Sequence, residues 1–413
     1  MKKPPLNVFA SDQPIGQIAR SDVDEDGLLF TYRNQCTSAQ AVSLTMPVRT
    51  DPYDSMSGLL PIFDMNLPEG ALREQLRVRF AKTIPGFDDL DLLQIVGSSQ
   101  IGRLRFSVEE KPEGSGAGEN LSDILTYRGS EDLFASLLQR YATSSGISGI
   151  QPKVLVRDQS ASSVDRLTHR GATHIVKSFD PAAYPELAAN EFLCLQGASK
   201  CGIDCARARL SENRRLVVVD RFDMTSDGYL GIEDFCVLNA LRAAGRYDGS
   251  YEGIARRLNN YLSPKHLSNG LEQFALQVAF SCIIGNGDAH LKNFSVMYRD
   301  AESEVSLAPA YDLVSTVLYI PQDTLALTMD GSKRFPDRTR LLKFIRTATG
   351  KSPSAATRLL EQARTGAQVV IDGAHRYATE HRDAGDFARK LTGVVRQGLE
   401  RLSYITPTPE SNP

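Results

Sequence analysis

The stretch Ile-Gly-Asn-Gly-Asp-Ala-His-Leu-Lys-Asn-Phe-Ser occupies residues 284–295 and decides how the rest of this sequence is interpreted. An apolar run with helical spacing precedes it, and a run with strand-like composition follows it. Asn286 and Gly287 form a common turn pair, and the polar residues after them interrupt the apolar pattern. The stretch therefore predicts a compact polar loop between a helix and a strand, with Asp288 and Asn293 five positions apart.

Asp288 and Asn293 have the spacing found in the catalytic loop of protein kinases. In that loop the aspartate accepts the proton of the substrate hydroxyl, and the asparagine holds a magnesium ion. Both groups must lie close to the transferred phosphoryl, which requires a short loop. A polar turn without a catalytic role explains the loop equally well when it is taken alone, because single motifs match by chance.

A hairpin is predicted after this loop, from residues 294–298 and 305–308, and it leads to Tyr-Asp-Leu at residues 311–313. Asp312 therefore stands where a kinase places its second magnesium-binding aspartate. Magnesium prefers carboxylate and amide oxygens, and phosphate oxygens complete its octahedron. Asp312, Asn293 and ATP would supply such a set, although Tyr-Asp-Leu differs from the usual Asp-Phe-Gly motif of kinases.

The region before the loop carries the other parts that a nucleotide kinase needs. Gly146 and Gly149 lie in a glycine- and serine-rich run that ends at Lys153, and glycines let backbone N–H groups approach phosphates. Lys177 lies near the end of a strand-like run, and Glu191 lies on the next predicted helix. Kinases pair such residues to hold the α- and β-phosphates. Taken singly, a turn, an exposed lysine and an unrelated glutamate are the simpler explanations.

The order of these parts favours a kinase. A glycine loop, a strand lysine, a helix glutamate, an apolar strand, helices, Asp-x4-Asn, a hairpin and an aspartate follow one another, and chance agreement of every part is far rarer than agreement of one. Asp220, Phe222 and Asp223 end the apolar strand where an adenine-binding hinge is expected, although a core strand explains them too. The predicted fold class is α+β: a two-lobed protein-kinase-like fold with a strand-rich N-lobe, a mainly helical C-lobe and a small N-terminal α+β subdomain.

The predicted elements divide the chain into successive regions. Strands are predicted at residues 153–157, 174–179 and 216–220, and helices at 71–82, 133–141, 186–198, 234–244, 251–262, 272–284, 338–348, 354–370 and 386–402. The predicted domains are 1–108 for the N-terminal subdomain, 109–122 for a linker, 123–232 for the N-lobe, 233–405 for the C-lobe and 406–413 for a disordered tail.

Composition limits the partners of this protein. The 413 residues include 47 Lys+Arg and 50 Asp+Glu, which gives a formal net charge of −3. That balance argues against coating of nucleic acid or of an anionic membrane, since either needs a basic field. No run approaches the ~20 apolar residues of a membrane span. The six cysteines include no Cys-x-x-Cys pair. We therefore expect a protein of a reduced, cytoplasmic compartment without membrane contact.

The sequence resembles the HipA family of bacterial toxin kinases over nearly its whole length. The motifs that carry the resemblance are Ser-Gly-Ile-Gln-Pro-Lys at 148–153, Lys177, Asn190-Glu191, Arg-Phe-Asp at 221–223, Glu-Asp-Phe at 233–235, Gly-Asn-Gly-Asp-Ala-His-Leu-Lys-Asn at 285–293 and Tyr-Asp-Leu at 311–313. Residues 60–70 and 97–104 resemble the small N-terminal domain of the same family. The catalytic-loop motif is the most specific of these.

The resemblance implies Mg-ATP-dependent phosphorylation of serine or threonine in proteins. Targets in the family include aminoacyl-tRNA synthetases, whose loss stops translation and growth. A HipB-like helix-turn-helix antitoxin is implied as a partner, and DNA would be contacted only through it. The implied roles are catalytic for Asp288, with His290 and Lys292 shaping its loop; metal-binding for Asn293 and Asp312; and nucleotide-binding for Gly149, Lys153, Lys177, Asp220, Phe222 and Asp223.

The resemblance also implies inactivation by autophosphorylation in the glycine-rich loop. A phosphoserine adds about −1.5 to −2 charges where the ATP phosphates must lie, which expels the loop. The family's loop can carry serine at two positions before the second glycine; here Gly146 stands at the first and Ser148 at the second. Ser148 is therefore the predicted regulatory phosphorylation site. Ser145 is the weaker candidate, and a purely structural turn serine is the alternative.

Two other functions stay open at this point. One is a kinase for a small molecule or lipid, since kinase-like folds also serve those substrates. The other is a pseudokinase that acts as a co-repressor with its antitoxin, which the intact ionic residues disfavour. An open groove near residues 312–330 would suit a protein substrate, whereas a closed one would suit a small molecule.

Overall fold

The computed structural model describes residues 3–23, 27–98, 100–110, 120–128, 153–156 and 173–403, together with residues 133, 136, 137 and 139. A strand-rich half is followed by a helix-rich half, as the sequence predicts. Within these described ranges, no helix has both the length and the apolar character needed to cross a bilayer. Residues 111–119 of the predicted linker and the whole of the predicted tail lie outside the described residues.

The N-terminal subdomain is an antiparallel sheet covered by short helices. Its strand order is β4-β3-β2-β1-β5. The strands are β1 Leu6–Ala10, β2 Gln13–Arg20, β3 Leu28–Tyr32, β4 Tyr53–Ser55 and β5 Leu104–Ser107, and the helices are α1 Pro61–Asp64, α2 Gly70–Phe80 and α3 Asp89–Val96. The ring of Phe63 packs edge-on against Phe30 at 5.1 Å and against Phe106 at 5.9 Å between centroids. This aromatic cluster joins the first helix to the sheet.

The N-lobe is built on a second antiparallel sheet, with strand order β6-β7-β9-β8. Its elements are α4 Leu121–Leu125, β6 Lys153–Val156, β7 His174–Ser178, α5 Leu187–Lys200, β8 Ala208–Leu210 and β9 Leu216–Asp220. Val176 and Val218 are partners on the two central strands, and both are fully buried. β-branched residues favour such pleated, covered strands, which explains why the valine-rich run forms the centre of the sheet.

The C-lobe is mainly helical, with small strands at its border with the N-lobe. Its elements are β10 Met224–Thr225, β11 Gly228–Tyr229, β12 Gly231–Asp234, α6 Phe235–Leu238, α7 Tyr251–Tyr261, α8 Pro264–Ile284, β13 Ser295–Tyr298, β14 Ser306–Leu307, α9 Arg338–Thr349, α10 Pro353–Glu380 and α11 Gly385–Arg401. Helix α8 is central and buries Phe274 and Phe280 completely. Each such side chain contributes about 1.5–3 kcal/mol through the apolar surface that it removes from water.

Most predicted elements are confirmed, but the helix predicted over 234–244 is wrong. Helix α6 ends at Leu238, because Ala240 has a left-handed backbone with φ of 56°. A 3-10 turn, Ala243–Gly245, follows it. The backbone N–H of Ala243 donates to the carboxylate of Asp64 at 2.7 Å. This segment therefore turns toward the N-terminal subdomain instead of continuing the helix.

The helix predicted from residue 272 starts earlier than the pattern indicates. Helix α8 begins at Pro264, where proline occupies the first turn and lacks the N–H that would have no partner there. Its first two turns are polar and partly exposed, so apolar periodicity becomes visible only near Leu271. Of the helix predicted over 133–141, the described residues are helical and the others lie outside the described part of the chain.

Candidate active site

The polar loop after α8 is held in one conformation by its own hydrogen bonds. Gly285 ends the helix with φ of 68°, and a Cβ at this position would lie 2.9 Å from Val394. The N–H of Asp288 donates to Oδ1 of Asn286 at 3.0 Å, and the N–H of His290 donates to Oδ1 of Asn293 at 3.0 Å. Glycine is needed for the turn. The two polar side chains then fix the positions of the loop residues that follow.

The Asp288 carboxylate lies at the exposed edge of this loop. It accepts a hydrogen bond from the hydroxyl of Tyr247 at 2.9 Å. The Tyr247 ring packs edge-on against His290, with 5.2 Å between centroids, and 39% of the residue is exposed. Asp288 can thus accept a proton from a hydroxyl that approaches from solvent, which is the geometry required of a general base.

Asp312 faces the loop from the end of the β13–β14 hairpin. Its backbone is left-handed, with φ of 54°, a conformation that aspartate tolerates better than most residues. One carboxylate oxygen contacts the ammonium group of Lys177, and 26% of the Asp312 side chain is exposed. A strained aspartate that reaches across two lobes is typical of functional sites.

Lys177 is a buried cation between two carboxylates. It lies on β7 and contacts Glu191 of helix α5 as well as Asp312, and the exposed fractions of Lys177 and Glu191 are 4% and 3%. Burial lowers the pKa of Lys177, but the Asp312 and Glu191 carboxylates outweigh it and raise the pKa above its ordinary value. The lysine is therefore charged at neutral pH, as binding of phosphate requires.

A side-chain amide joins helix α5 to the segment after Asp312. Asn190 donates to the carbonyl of Ser315 at 3.0 Å and accepts from its N–H at 3.0 Å. Both residues are fully buried. This double hydrogen bond holds Glu191, the next residue of the helix, close to the aspartate that shares Lys177.

Two predicted metal ligands have the oxygen donors that magnesium prefers. Asn293 is largely buried, and its Oδ1 accepts one backbone hydrogen bond, which leaves a second lone pair. The carboxylate of Asp312 contacts Lys177 and is partly exposed. An amide oxygen and a carboxylate fit Mg²⁺ when phosphate oxygens and water complete its coordination.

The side chains of His290 and Lys292 are both buried inside the loop. The ammonium group of Lys292 lies 3.1 Å from Asp234 and 3.4 Å from Glu69, and all three side chains are nearly completely buried. Burial lowers the pKa of His290, so its imidazole is neutral at neutral pH. These positions agree with a loop-shaping role and keep both side chains away from solvent.

The three residues predicted to border the nucleotide lie in different surroundings. Asp220 contacts Arg209 and lies 3.4 Å from His174, and Phe222 stacks on Tyr311 with 5.9 Å between centroids. The carboxylate of Asp223 is instead buried.

Asp223 forms an ion pair with Arg221 at 2.6 Å and accepts the N–H of Gly102 at 2.7 Å. Burial raises its pKa, but Arg221 and these hydrogen bonds lower it overall. Asp223 thus joins the N-terminal subdomain to the N-lobe, and its carboxylate is buried, whereas that of Asp220 is half-exposed.

The predicted glycine-rich loop lies outside the described residues, and with it Ser148 and Gly149. Lys153 is the first residue of β6 and pairs with Lys177 on β7. The strand that follows the loop therefore runs beside the strand that carries the buried lysine.

Sequence reasoning gave no role to Tyr247 or Glu69, which contact the catalytic loop. Tyr247 lies in an irregular segment, and no pattern in the sequence points to its contact with Asp288. Glu69 stands before helix α2, about 220 residues from Lys292, so only tertiary structure brings them together. The signals near Glu69 are the resemblance of residues 60–70 to a known family and its place at the start of a predicted helix, and neither points to Lys292.

A strand lysine paired with a helix glutamate, an Asp-x4-Asn loop and an aspartate after a hairpin define the kinase-like class of folds. Residues 145–371 match the family described as HipA-like C-terminal domain, and residues 6–107 match HipA N-terminal domain. The first match alone covers more than half of the chain. The chain belongs to the HipA family.

Relatives in other bacteria share part of this chain. A Sinorhizobium fredii protein named "Putative kinase Y4dM" is 28% identical over 256 residues, which are 58% of each chain. A second one from that organism, Y4mE, is 27% identical over 345 residues, which are 76% of this chain and 78% of the relative. A Haemophilus influenzae protein of similar name is 30% identical over 192 residues, 42% of this chain and 53% of the relative. The match to Y4dM thus spans less than two thirds of its length.

A solved structure confirms the predicted fold class. HipA of Shewanella oneidensis MR-1, determined in complex with HipB and its operator DNA, superposes with a TM-score of 0.67 at 18% identity. The superposition covers 96% of this chain and 97% of that one. The chain therefore has the two-lobed kinase-like fold with an additional N-terminal subdomain.

Proposed function

We propose that this protein is a Mg-ATP-dependent serine/threonine protein kinase. The observation that carries the proposal is the position of Lys177, a buried cation held by Glu191 and by the partly exposed Asp312. Asp288 lies on the neighbouring loop with its carboxylate at the exposed edge. A phosphate-binding cation and a general base on one cleft are the minimum that phosphoryl transfer requires.

The residues divide the work of the reaction among them. Lys177 binds nucleotide phosphate, with Glu191 orienting its ammonium group. Asn293 and Asp312 hold magnesium, which neutralises charge on the phosphates. Asp288 accepts the proton of a serine or threonine hydroxyl. Phe222 and Asp220 border the base and ribose side of the cleft, and Ser148 is the self-inhibitory phosphorylation site.

The biological role that we propose is that of a toxin in a toxin–antitoxin pair. A HipB-like helix-turn-helix antitoxin would bind this chain and make any DNA contact. The protein substrate would be a component of translation, such as an aminoacyl-tRNA synthetase, and its phosphorylation would arrest growth. Family membership and the likeness to a HipA that was solved with HipB support this role.

Phosphopeptide mass spectrometry after incubation with Mg-ATP tests the kinase activity. The parent protein is compared with Asp288→Asn, which keeps the size of the side chain but cannot accept the proton. We expect phosphate on the parent, at Ser148 in particular, and none on the variant. Equal modification of both proteins would contradict the role of Asp288. No nucleotide binding and no phosphate in either protein would indicate a pseudokinase.

Expression in a bacterial host tests the toxin role separately. We expect the parent to stop growth and Asp288→Asn to leave growth unchanged at the same protein level. Co-expression of an adjacent helix-turn-helix protein should restore growth. Growth arrest by the Asp288→Asn variant would show that toxicity does not need phosphoryl transfer.

A further inference from the structure

The N-terminal subdomain reaches the catalytic loop through one buried carboxylate. Glu69 stands at the N-cap of helix α2 and is 7% exposed. Its carboxylate contacts the guanidinium group of Arg246 and lies 3.4 Å from the ammonium group of Lys292. Glu69 therefore binds two cations at once: Lys292 belongs to the catalytic loop, and Arg246 belongs to the segment that packs on it.

The segment that contains Arg246 connects Glu69 to Asp288, the proposed catalytic base. The carbonyl of Arg246 accepts the N–H of Leu291 at 3.1 Å, within the catalytic loop. The next residue, Tyr247, donates its hydroxyl to Asp288 at 2.9 Å. Glu69 is thus connected to Asp288 through two adjacent residues, while Asp64 independently holds the start of this segment through the N–H of Ala243.

We infer that Glu69 is a positioning residue for phosphoryl transfer, which fixes Arg246 and Tyr247 so that the Tyr247 hydroxyl holds the Asp288 carboxylate in its productive orientation. This inference rests on the proposed function. It makes the N-terminal subdomain part of the catalytic apparatus.

The charges around Glu69 make this contact sensitive to a single change. Burial raises the pKa of Glu69, but Lys292 and Arg246 outweigh burial and lower it, so the carboxylate is ionised. Removal of its charge leaves Lys292 with Asp234 but takes from Arg246 its buried partner. The end of the segment can then move, whereas its start stays attached to Asp64. We therefore expect a local change at Asp288 and not the release of the subdomain.

The test compares Glu69→Gln with Glu233→Gln by the rate at which each turns over Mg-ATP, followed as transfer or release of the γ-phosphate. Glu233 is the matched control, because it is a buried glutamate at the same interface. Its carboxylate accepts hydrogen bonds from Ser43 at 2.6 Å, from the N–H of Leu44 at 2.7 Å and from the hydroxyl of Tyr298, and these three donors lie outside the catalytic loop. Both variants should lose some stability, so only the loop contact separates them.

We expect Glu69→Gln to lower kcat by about tenfold to 100-fold, because a misplaced catalytic group costs up to about 10²-fold, and to change KM for ATP by less than about twofold. Glu233→Gln should keep kcat within about threefold of the parent. Tyr247→Phe, which keeps the ring on His290, should lower kcat in the same way. The double variant Glu69→Gln/Tyr247→Phe should be no slower than the slower single variant, because both act on one contact.

Three results would overturn the inference. Glu69→Gln could turn over ATP like the parent, or Glu233→Gln could lose as much activity, or the effects of Glu69→Gln and Tyr247→Phe could multiply. Tyr247→Phe keeps the test decisive if Glu69→Gln does not fold, since its side chain is partly exposed: unchanged kcat in this variant alone removes the connection. A parent without Asp288-dependent turnover would contradict the proposed function itself, and the inference with it.

Discussion

Two lysines in this molecule are each buried between two carboxylates, but they differ in whether one of those carboxylates is exposed to solvent. Lys177 lies between Glu191 and Asp312, and Lys292 lies between Asp234 and Glu69. Both ammonium groups are almost completely buried, and two carboxylates raise the pKa of each despite burial. The two sites differ in the solvent exposure of these carboxylates: Asp312 is partly exposed, whereas both partners of Lys292 are buried.

That difference separates a binding group from a structural one. A carboxylate with access to solvent can move away and let phosphate take its place on the lysine. A fully buried ion pair cannot exchange partners, because each charge would be left unpaired in the protein interior, which solvates it poorly. We therefore propose that Lys177 binds the nucleotide and that Lys292 supports the catalytic loop.

The largest expected effect on stability comes from removal of the Lys292 ammonium group. Lys292→Met takes from the buried carboxylate of Asp234 the cation that pairs with it and leaves Glu69 with Arg246 alone, so the free energy of unfolding should fall by about 3–5 kcal/mol. Denaturant unfolding of purified protein measures this loss. A fall in unfolding free energy below about 1 kcal/mol, the value for an exposed ion pair, would show that water reaches the carboxylates around Lys292.

Removal of the other cation should mainly affect activity. Lys177→Met takes away the charge that binds phosphate, and we expect Mg-ATP turnover to fall by about 10²–10³-fold, as for the loss of one preorganised donor. Its loss of unfolding free energy should be smaller than that of Lys292→Met, since Asp312 can turn to water. Equal stability losses in the two variants would remove the distinction between the lysines.

The carboxylate partners should repeat the contrast on a smaller scale. Asp234 also caps helix α6 by accepting the N–H of Val237 at 3.0 Å. Asp234→Asn should therefore cost about 1–3 kcal/mol of unfolding free energy, because it weakens buried hydrogen bonds to charged groups. Asp312→Asn should cost less unfolding free energy than Asp234→Asn, because the Asp312 side chain is partly exposed and Glu191 still pairs with Lys177. Thermal unfolding of both variants beside the parent gives the comparison, and a reversed order would contradict it.

The smallest expected effect is on the pH dependence of stability. The pKa of Glu69 is lowered in the folded protein, with Lys292 and Arg246 outweighing burial, so its stabilisation is present above about pH 4.3 and is lost as pH falls toward the folded pKa. Glu69→Gln should therefore lose less stability than the parent between pH 6 and pH 3.5, in the range set by these values.

Glu233, at the same interface, contributes to the pH dependence of stability with the opposite sign. Burial raises its pKa in the folded protein, so its contribution is present below about pH 4.3 and is lost as pH rises through the folded pKa. Glu233→Gln should make the acid loss of stability steeper than in the parent. Unfolding series across this pH range measure both slopes, and two variants with slopes changed in the same direction would contradict these assignments.

Local signals predicted much of the fold and part of the site. The strands β7 and β9 follow from runs of β-branched residues, and the catalytic loop follows from the glycine and asparagine that must end α8 and turn the chain. The Lys177–Glu191 pair followed from the order of motifs, and the structure brings these residues together with Asp312. Sequence spacing sufficed here because each motif belongs to one element.

Tertiary contacts explain what the sequence left out. The turn at Ala240 replaces a predicted helix because Asp64, far away in sequence, binds the N–H of Ala243. The contact of Tyr247 with Asp288 and that of Glu69 with Lys292 join residues 41 and about 220 positions apart. No periodicity or local composition encodes such pairs, since each depends on the packing of segments that are far apart in sequence.

Calorimetric titration of the parent, Lys177→Met and Glu69→Gln with a magnesium complex of a non-hydrolysable ATP analogue tests the central claim most directly. We expect the parent and Glu69→Gln to bind with equal affinity, and Lys177→Met to bind at least about tenfold more weakly, a loss of about 1.4 kcal/mol. Unchanged binding by Lys177→Met, or equally weakened binding by Glu69→Gln, would contradict the proposal that Lys177 binds the nucleotide while Lys292 supports the catalytic loop.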